Sequence, residues 1–150
     1  MSASALFIAG ELNVSLGPTD DVVISDNPVS AGNVLVLLNG RPVTNITTVA
    51  SSSVTKIIVN GGDDANLIDL TGVTGAAFNN PALSIVVNAG NGSDTLLGSS
   101  DLADSLDGGD GDDSIDGGIG NDVVSGGLGN DLVSGGNNND TVFGDRKSVV

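Results

Sequence analysis

GGDGDDSID (108–116), GGIGNDVVS (117–125), GGLGNDLVS (126–134) and GGNNNDTVF (135–143) follow one another without a gap. Each block of nine opens on Gly-Gly, carries Asp at its sixth position and has an aliphatic residue at its eighth. Upstream, AGNGSDTLL (89–97) is the same block with Ala89 in the first glycine position, and GSSDLADSLD (98–107) is a ten-residue variant. Six consecutive blocks therefore place Asp94, Asp104, Asp113, Asp122, Asp131 and Asp140 at position six, and Leu96, Leu106, Ile115, Val124, Val133 and Val142 at position eight. A short period of this kind marks stacked supersecondary units, each too small to bury an apolar face alone.

The blocks resemble G-G-x-G-x-D-x-U-x, the calcium-binding nonapeptide repeat of RTX (haemolysin-type) proteins, over residues 89–143. The resemblance implies an all-β chain built as a parallel β-roll or β-helix solenoid, with a more irregular β-rich N-terminal part. It also implies that main-chain carbonyls complete an oxygen shell around Ca²⁺. The matching glycines are Gly108, Gly109, Gly111, Gly117, Gly118, Gly120, Gly126, Gly127 and Gly129. Glycine permits positive φ and close approach of the main chain to an ion.

The spacing has a physical rationale. A block pairs a six-residue turn with a three-residue strand, so consecutive blocks form opposite sides of a flattened coil and 18 residues complete a circuit. Same-side turns then stack at about 4.8 Å. A Ca²⁺ between two carboxylate oxygens, each about 2.3 to 2.6 Å away, spans about 4.6 to 5.2 Å. Asp113 and Asp131 are 18 apart, as are Asp122 and Asp140 and also Asp104 and Asp122, whereas Asp94 and Asp113 are separated by 19. These pairs are the expected bays, for about three to four ions. The 113/131 bay has complete turns on both sides. In 122/140 Asn138 replaces the fourth-position glycine, and Asn tolerates left-handed backbone better than most residues. Ser99, Ser100 and Asp101 disturb the lower turn of 104/122.

Composition supports oxygen chemistry and excludes much else. Lys and Arg total 4 against 19 Asp and Glu, a formal charge of -15, which opposes a grip on nucleic acid or anionic lipid. Without Cys or His there is no disulfide, no thiolate or imidazole metal site and no His-dependent triad. No Tyr or Trp is present and Phe occurs 3 times, so a core must be Val, Leu, Ile and Ala. No apolar run approaches the ~18 residues of a membrane span, and no membrane insertion is expected. Residues 1–10 lack the basic and apolar segments of a secretory leader.

Other Gly- and Asp-rich motifs fail. No glycine precedes Lys-Ser or Lys-Thr as in a phosphate-binding loop, and the only Glu, Glu11, cannot close an EF-hand. The regular Asp residues belong to the repeat and no aromatic sugar platform accompanies them, which argues against a glycosidase pair. The plain alternative is an acidic, Gly-rich solvated tail. That description suits the ion-free repeats, since no Lys or Arg lies between Lys56 and Arg146 to offset the stacked carboxylates. Calcium binding and folding are expected to be coupled.

Residues 1–87 read as an irregular β-solenoid or β-cap, with a separate small β-domain as the alternative, and 88–144 as the calcium-binding β-roll. Short apolar stretches at Leu6–Ala9, Val22–Ile24, Val34–Leu38, Ile57–Val59 and Ile85–Val87 are expected strands, and 71–82 a loop. Residues 56–68 match 84–96 at an offset of 28, as a degenerate rung with Asn66 in the Asp position and no expected calcium site. Thr19 to Val23 resemble a still older rung. The six residues from Asp145 to Val150 are what GAT CGG AAG AGC GTC GTG encodes, the start of a common short-read sequencing adapter, and 145–150 are expected to be a non-native tail. An ordinary basic tail is the alternative.

The expected activity is calcium binding coupled to folding of a structural module that is extracellular or at a bacterial cell surface, and not an enzyme. The alternative is the appended calcium-binding domain of a larger secreted protease, lipase or toxin, which would make further domains of a longer parent its partners.

Overall fold

The computed structural model describes residues 4–18, 20–26, 34–39, 41–42 and 50–144. The tail set apart by sequence, 145–150, lies outside the described residues. The described chain is all-β, apart from a single 3-10 turn at Ser51–Ser53. Its strands are β1 (Ser4–Ile8), β2 (Glu11–Ser15), β3 (Val22–Asp26), β4 (Val34–Leu38), β5 (Arg41–Pro42), β6 (Lys56–Asn60) and β7 (Leu67–Gly72). They continue with β8 (Ser84–Asn91), β9 (Thr95–Leu97), β10 (Asp104–Asp110), β11 (Ser114–Asp116), β12 (Val123–Leu128), β13 (Leu132–Ser134) and β14 (Thr141–Phe143).

These strands form two seven-stranded sheets, ordered β1-β2-β6-β8-β10-β12-β14 and β13-β11-β9-β7-β3-β4-β5. From β6 onward the chain alternates strictly between them, and every pairing among β6 to β14 is parallel. The departures lie upstream, where β1 pairs with β2, β3 with β4 and β4 with β5 in antiparallel fashion. These antiparallel pairings all lie within residues 1–87. β8 crosses residue 87, so one sheet runs through the junction of the irregular and repeated parts.

Register explains the core. Val14, Val59, Val87, Leu106, Val124 and Val142 stand opposite one another in successive strands of the first sheet. Val22, Ile68, Leu96, Ile115 and Val133 do so in the second. Because strand side chains alternate between faces, β-branched and Leu residues at these positions all point inward and fill one layer between the sheets. Burial is complete from Val14 to Val124, partial at Val133 and lost at Val142, which is 47% exposed.

The rung at 56–68 is real. Lys56 pairs with Ser84, Ile57 with Ile85, Leu67 with Thr95 and Ile68 with Leu96, all at the offset of 28. The excess over an 18-residue circuit is the segment after β7, which has no strand and buries Val73, Phe78 and Leu83 against the core. Strands β2 and β5 were not anticipated, being partly polar, and β7 runs on through Thr71 and Gly72, which the sequence had placed in a loop at 71–82. The three-residue strand expected per block fits β9, β11, β13 and β14, whereas β10 runs for 7 residues and β12 for 6. These longer strands continue through their Gly-Gly pair, where Gly90, Gly109 and Gly127 remain in register.

Candidate metal centre

The turns fall into two columns. Turns 61–66, 89–94, 108–113 and 126–131 lead from the first sheet to the second, and turns 98–104, 117–122 and 135–140 lead back. Each of Asn66, Asp94, Asp113 and Asp122 is held through its main chain to the turn that follows it in its column. Its C=O accepts from the N–H of the seventh residue one turn on, as in Ser114 to Asp94 at 2.9 Å and Leu132 to Asp113 at 2.7 Å. Its N–H donates to a carboxylate in the same following turn.

That second bond joins the residues paired by sequence. The N–H of Asp94 donates to Oδ1 of Asp113 at 2.8 Å, that of Asp104 to Asp122 at 2.8 Å, that of Asp113 to Asp131 at 3.0 Å and that of Asp122 to Asp140 at 3.0 Å. The 19-residue pair is thus stapled like the 18-residue ones, since its extra residue sits in the opposite column. One oxygen of each of these carboxylates is therefore a structural acceptor, a role the spacing alone did not reveal.

The other oxygen has a different fate. Oδ2 of Asp94, Asp113 and Asp122 is buried and accepts no hydrogen bond. A buried carboxylate oxygen without a donor costs stability unless a cation or a proton meets it. Burial pushes the carboxyls of Asp94 and Asp122 up from the usual range, with hydrogen bonds from Asn66 and Asp104 opposing and the charges of Asp140 and Asp116 adding at Asp122. Asp113 is pushed to about 6 by burial, a shift reinforced by the charges of Asp94, Asp131 and Asp107.

Asp104 differs from these three. Ser99 donates to it twice, from its N–H to Oδ2 at 2.6 Å and from its hydroxyl to Oδ1 at 3.0 Å. Burial still raises its carboxyl to about 6, against these bonds. The irregular turn in its block thus supplies donors of its own, and the hint was a serine directly after Gly98 where the repeat has glycine.

The glycines serve two geometric needs. Gly109, Gly111, Gly118, Gly127 and Gly129 have φ between 93° and 148°, and Asn138 takes φ 89° as expected of Asn. Gly108, Gly117 and Gly126 are instead required by crowding from the carboxylate of their own block. A Cβ at Gly117 would lie 2.7 Å from Asp122 Oδ2. A Cβ at Gly120 would meet both that side chain and the carbonyl of Leu102. Of the Asp and Gly site residues singled out by sequence, Asp104, Gly108 and Gly109 fall within β10 and Gly126 and Gly127 within β12, while the others lie in the connecting turns. Asp131 and Asp140 are only half-buried, at the end of the array. Among the described residues no group of three or more acidic, His or Cys side chains converges.

A family model of the RTX calcium-binding nonapeptide repeat (4 copies) matches residues 99–133 and 120–146. Residues 99–146 are thus similar to RTX repeats, and such repeats indicate calcium binding. No curated protein and no solved structure matches the chain. Among the described residues no helix is long and apolar enough to cross a membrane.

Proposed function

We propose that the chain is a calcium-dependent β-solenoid module in which Ca²⁺ bound between stacked turns drives folding of residues 88–144. The observation that carries this reading is the trio of buried, unpartnered Oδ2 atoms of Asp94, Asp113 and Asp122. They lie in turns where glycines admit the main chain to close range. Asp94 with Asp113, Asp113 with Asp131, Asp122 with Asp140 and Asp104 with Asp122 would hold the ions. Gly108, Gly109, Gly111, Gly117, Gly118, Gly120, Gly126, Gly127 and Gly129 would leave room for main-chain oxygens. The ion's contribution is charge: it neutralises paired carboxylates that otherwise repel across a turn spacing.

An extracellular or cell-surface setting suits such sites, because millimolar calcium fills weak ones. Calorimetry on the full chain tests the reading. Ca²⁺ is expected to bind well ahead of Mg²⁺, which demands tight octahedral geometry and sheds water reluctantly. Equal affinities would contradict flexible all-oxygen bays.

A further inference from the structure

We infer that the carboxamide of Asn66 stands in for the cation of the neighbouring turns, closing the first column of bays with a rung that needs no metal. Asn66 is the sixth-position residue directly preceding Asp94 in that column, with its N–H donating to Asp94 Oδ1 at 2.7 Å. The register of Val22 with Ile68 places Gly17, Pro18 and Asp20 on its other side. Its side chain is buried, and both of its polar atoms are satisfied by main chain. Nδ2 donates toward the carbonyls of Asp20 at 3.0 Å, Pro18 at 3.2 Å and Gly17 at 3.4 Å. Oδ1 accepts from the N–H of Gly62 at 2.7 Å.

The contrast with the next turns is chemical. Three carbonyl oxygens converging on one point form an electronegative cradle, suited to a cation or to an N–H donor. An amide presents two N–H groups there while keeping an acceptor for Gly62. A carboxylate would keep the acceptor but turn a second oxygen toward the three carbonyls, where only a proton or a metal could relieve it. In Asp94 and Asp113 that second oxygen is indeed left without a donor. One side-chain atom thus divides a self-sufficient rung from ion-dependent ones.

The inference rests on calcium occupying the carboxylate turns, and the experiment separates the two claims. Thermal unfolding of the full chain is followed in chelator and in millimolar Ca²⁺ for wild type, Asn66→Asp, Asn66→Ala and Asp113→Asn, with bound ions counted by competition with a chromophoric chelator. Asn66→Asp is expected to melt well below wild type in chelator, to recover in Ca²⁺ and to bind one ion more. Asn66→Ala is expected to lose the same stability in both media with an unchanged ion count. The reciprocal Asp113→Asn is expected to bind fewer ions and to melt higher than wild type in chelator. Wild type that binds calcium, with Asn66→Asp equally damaged in both media and no ion gained, overturns this inference and leaves the calcium reading intact. If Asn66→Asp does not fold in either medium, an Asp113→Asn chain no more stable than wild type in chelator overturns it as well. A wild type whose melting ignores calcium sinks both.

Discussion

Residues 56–88 and 89–144 share two sheets, one register and one direction of travel, yet they fill the same positions with opposite chemistry. Following one column of the first sheet, Leu12, Ile57 and Ile85 stand opposite one another, and the next residue in register is Asp104. The strand before the change buries Ile85, Val87 and Ala89, whereas the strand after it buries Asp104, Leu106 and Gly108. Upstream of residue 90 the core includes Phe78, Leu70, Leu83 and Val73, while downstream it thins to Leu96, Leu102, Leu106, Ile115 and Val124. On the proposed reading, a stacked architecture is held by apolar burial in one stretch and by neutralised carboxylates in the next, the first source of stability being always present and the second dependent on an ion.

The largest effect that could break this contrast is expected in the apolar part. Phe78→Ala removes a fully buried ring and is expected to cost about 3 to 5 kcal/mol. Equilibrium unfolding should show the same loss in chelator and in calcium, because no carboxylate turn is touched. A loss confined to one medium would mean that the two parts are not independently held.

A smaller effect of opposite character is expected from Asp113→Ala, which removes both an orphaned oxygen and the acceptor for the Asp94 N–H. At calcium about 10-fold above the dissociation constant, each of the two bays that share Asp113 forfeits about 1.4 kcal/mol when lost. The loss should appear in calcium and shrink in chelator, with neighbouring turns affected through nearest contacts. Equal losses in both media would reduce Asp113 to a structural acceptor.

How legible this was in the sequence differs along the chain for a physical reason. In residues 89–143 each side chain has one task repeated at a fixed interval, so the pairs Asp113/Asp131 and Asp122/Asp140 could be written down from spacing. The rung at 56–68 was visible because Ile57, Val59 and Ile68 preserve the aliphatic columns. Strand β2 and the antiparallel pairing of β1 with β2 and of β3 with β4 were not legible, since that pairing is set by turns rather than by period. The division of labour between Oδ1 and Oδ2 was hidden too, because both atoms belong to the same letter. So were the Ser99 bonds to Asp104, which depend on how a ten-residue block folds its extra residue.

The smallest expected effect sharpens the comparison through pH. Burial raises Asp104 and Asp113 from 3.8 to about 6 in the folded, metal-free chain. A folded-state value above the unfolded one means that protonation stabilises: the gain is complete below about 4 and is lost as pH rises through about 6. The chelated chain is therefore expected to melt at a higher temperature at pH 5 than at pH 7. In calcium the trend should weaken or reverse over the same window, because protons compete for the oxygens that bind metal. Parallel profiles in the two media would show that these carboxylates do not meet the ion.

Amide hydrogen exchange on the full chain, read segment by segment in chelator and in millimolar calcium, tests the central claim most directly. Protection of β6, β7 and the first half of β8 is expected in both media, whereas protection of β10 to β13 is expected only with calcium. Repeats that are protected to the same degree in chelator would contradict an array held together by its ions.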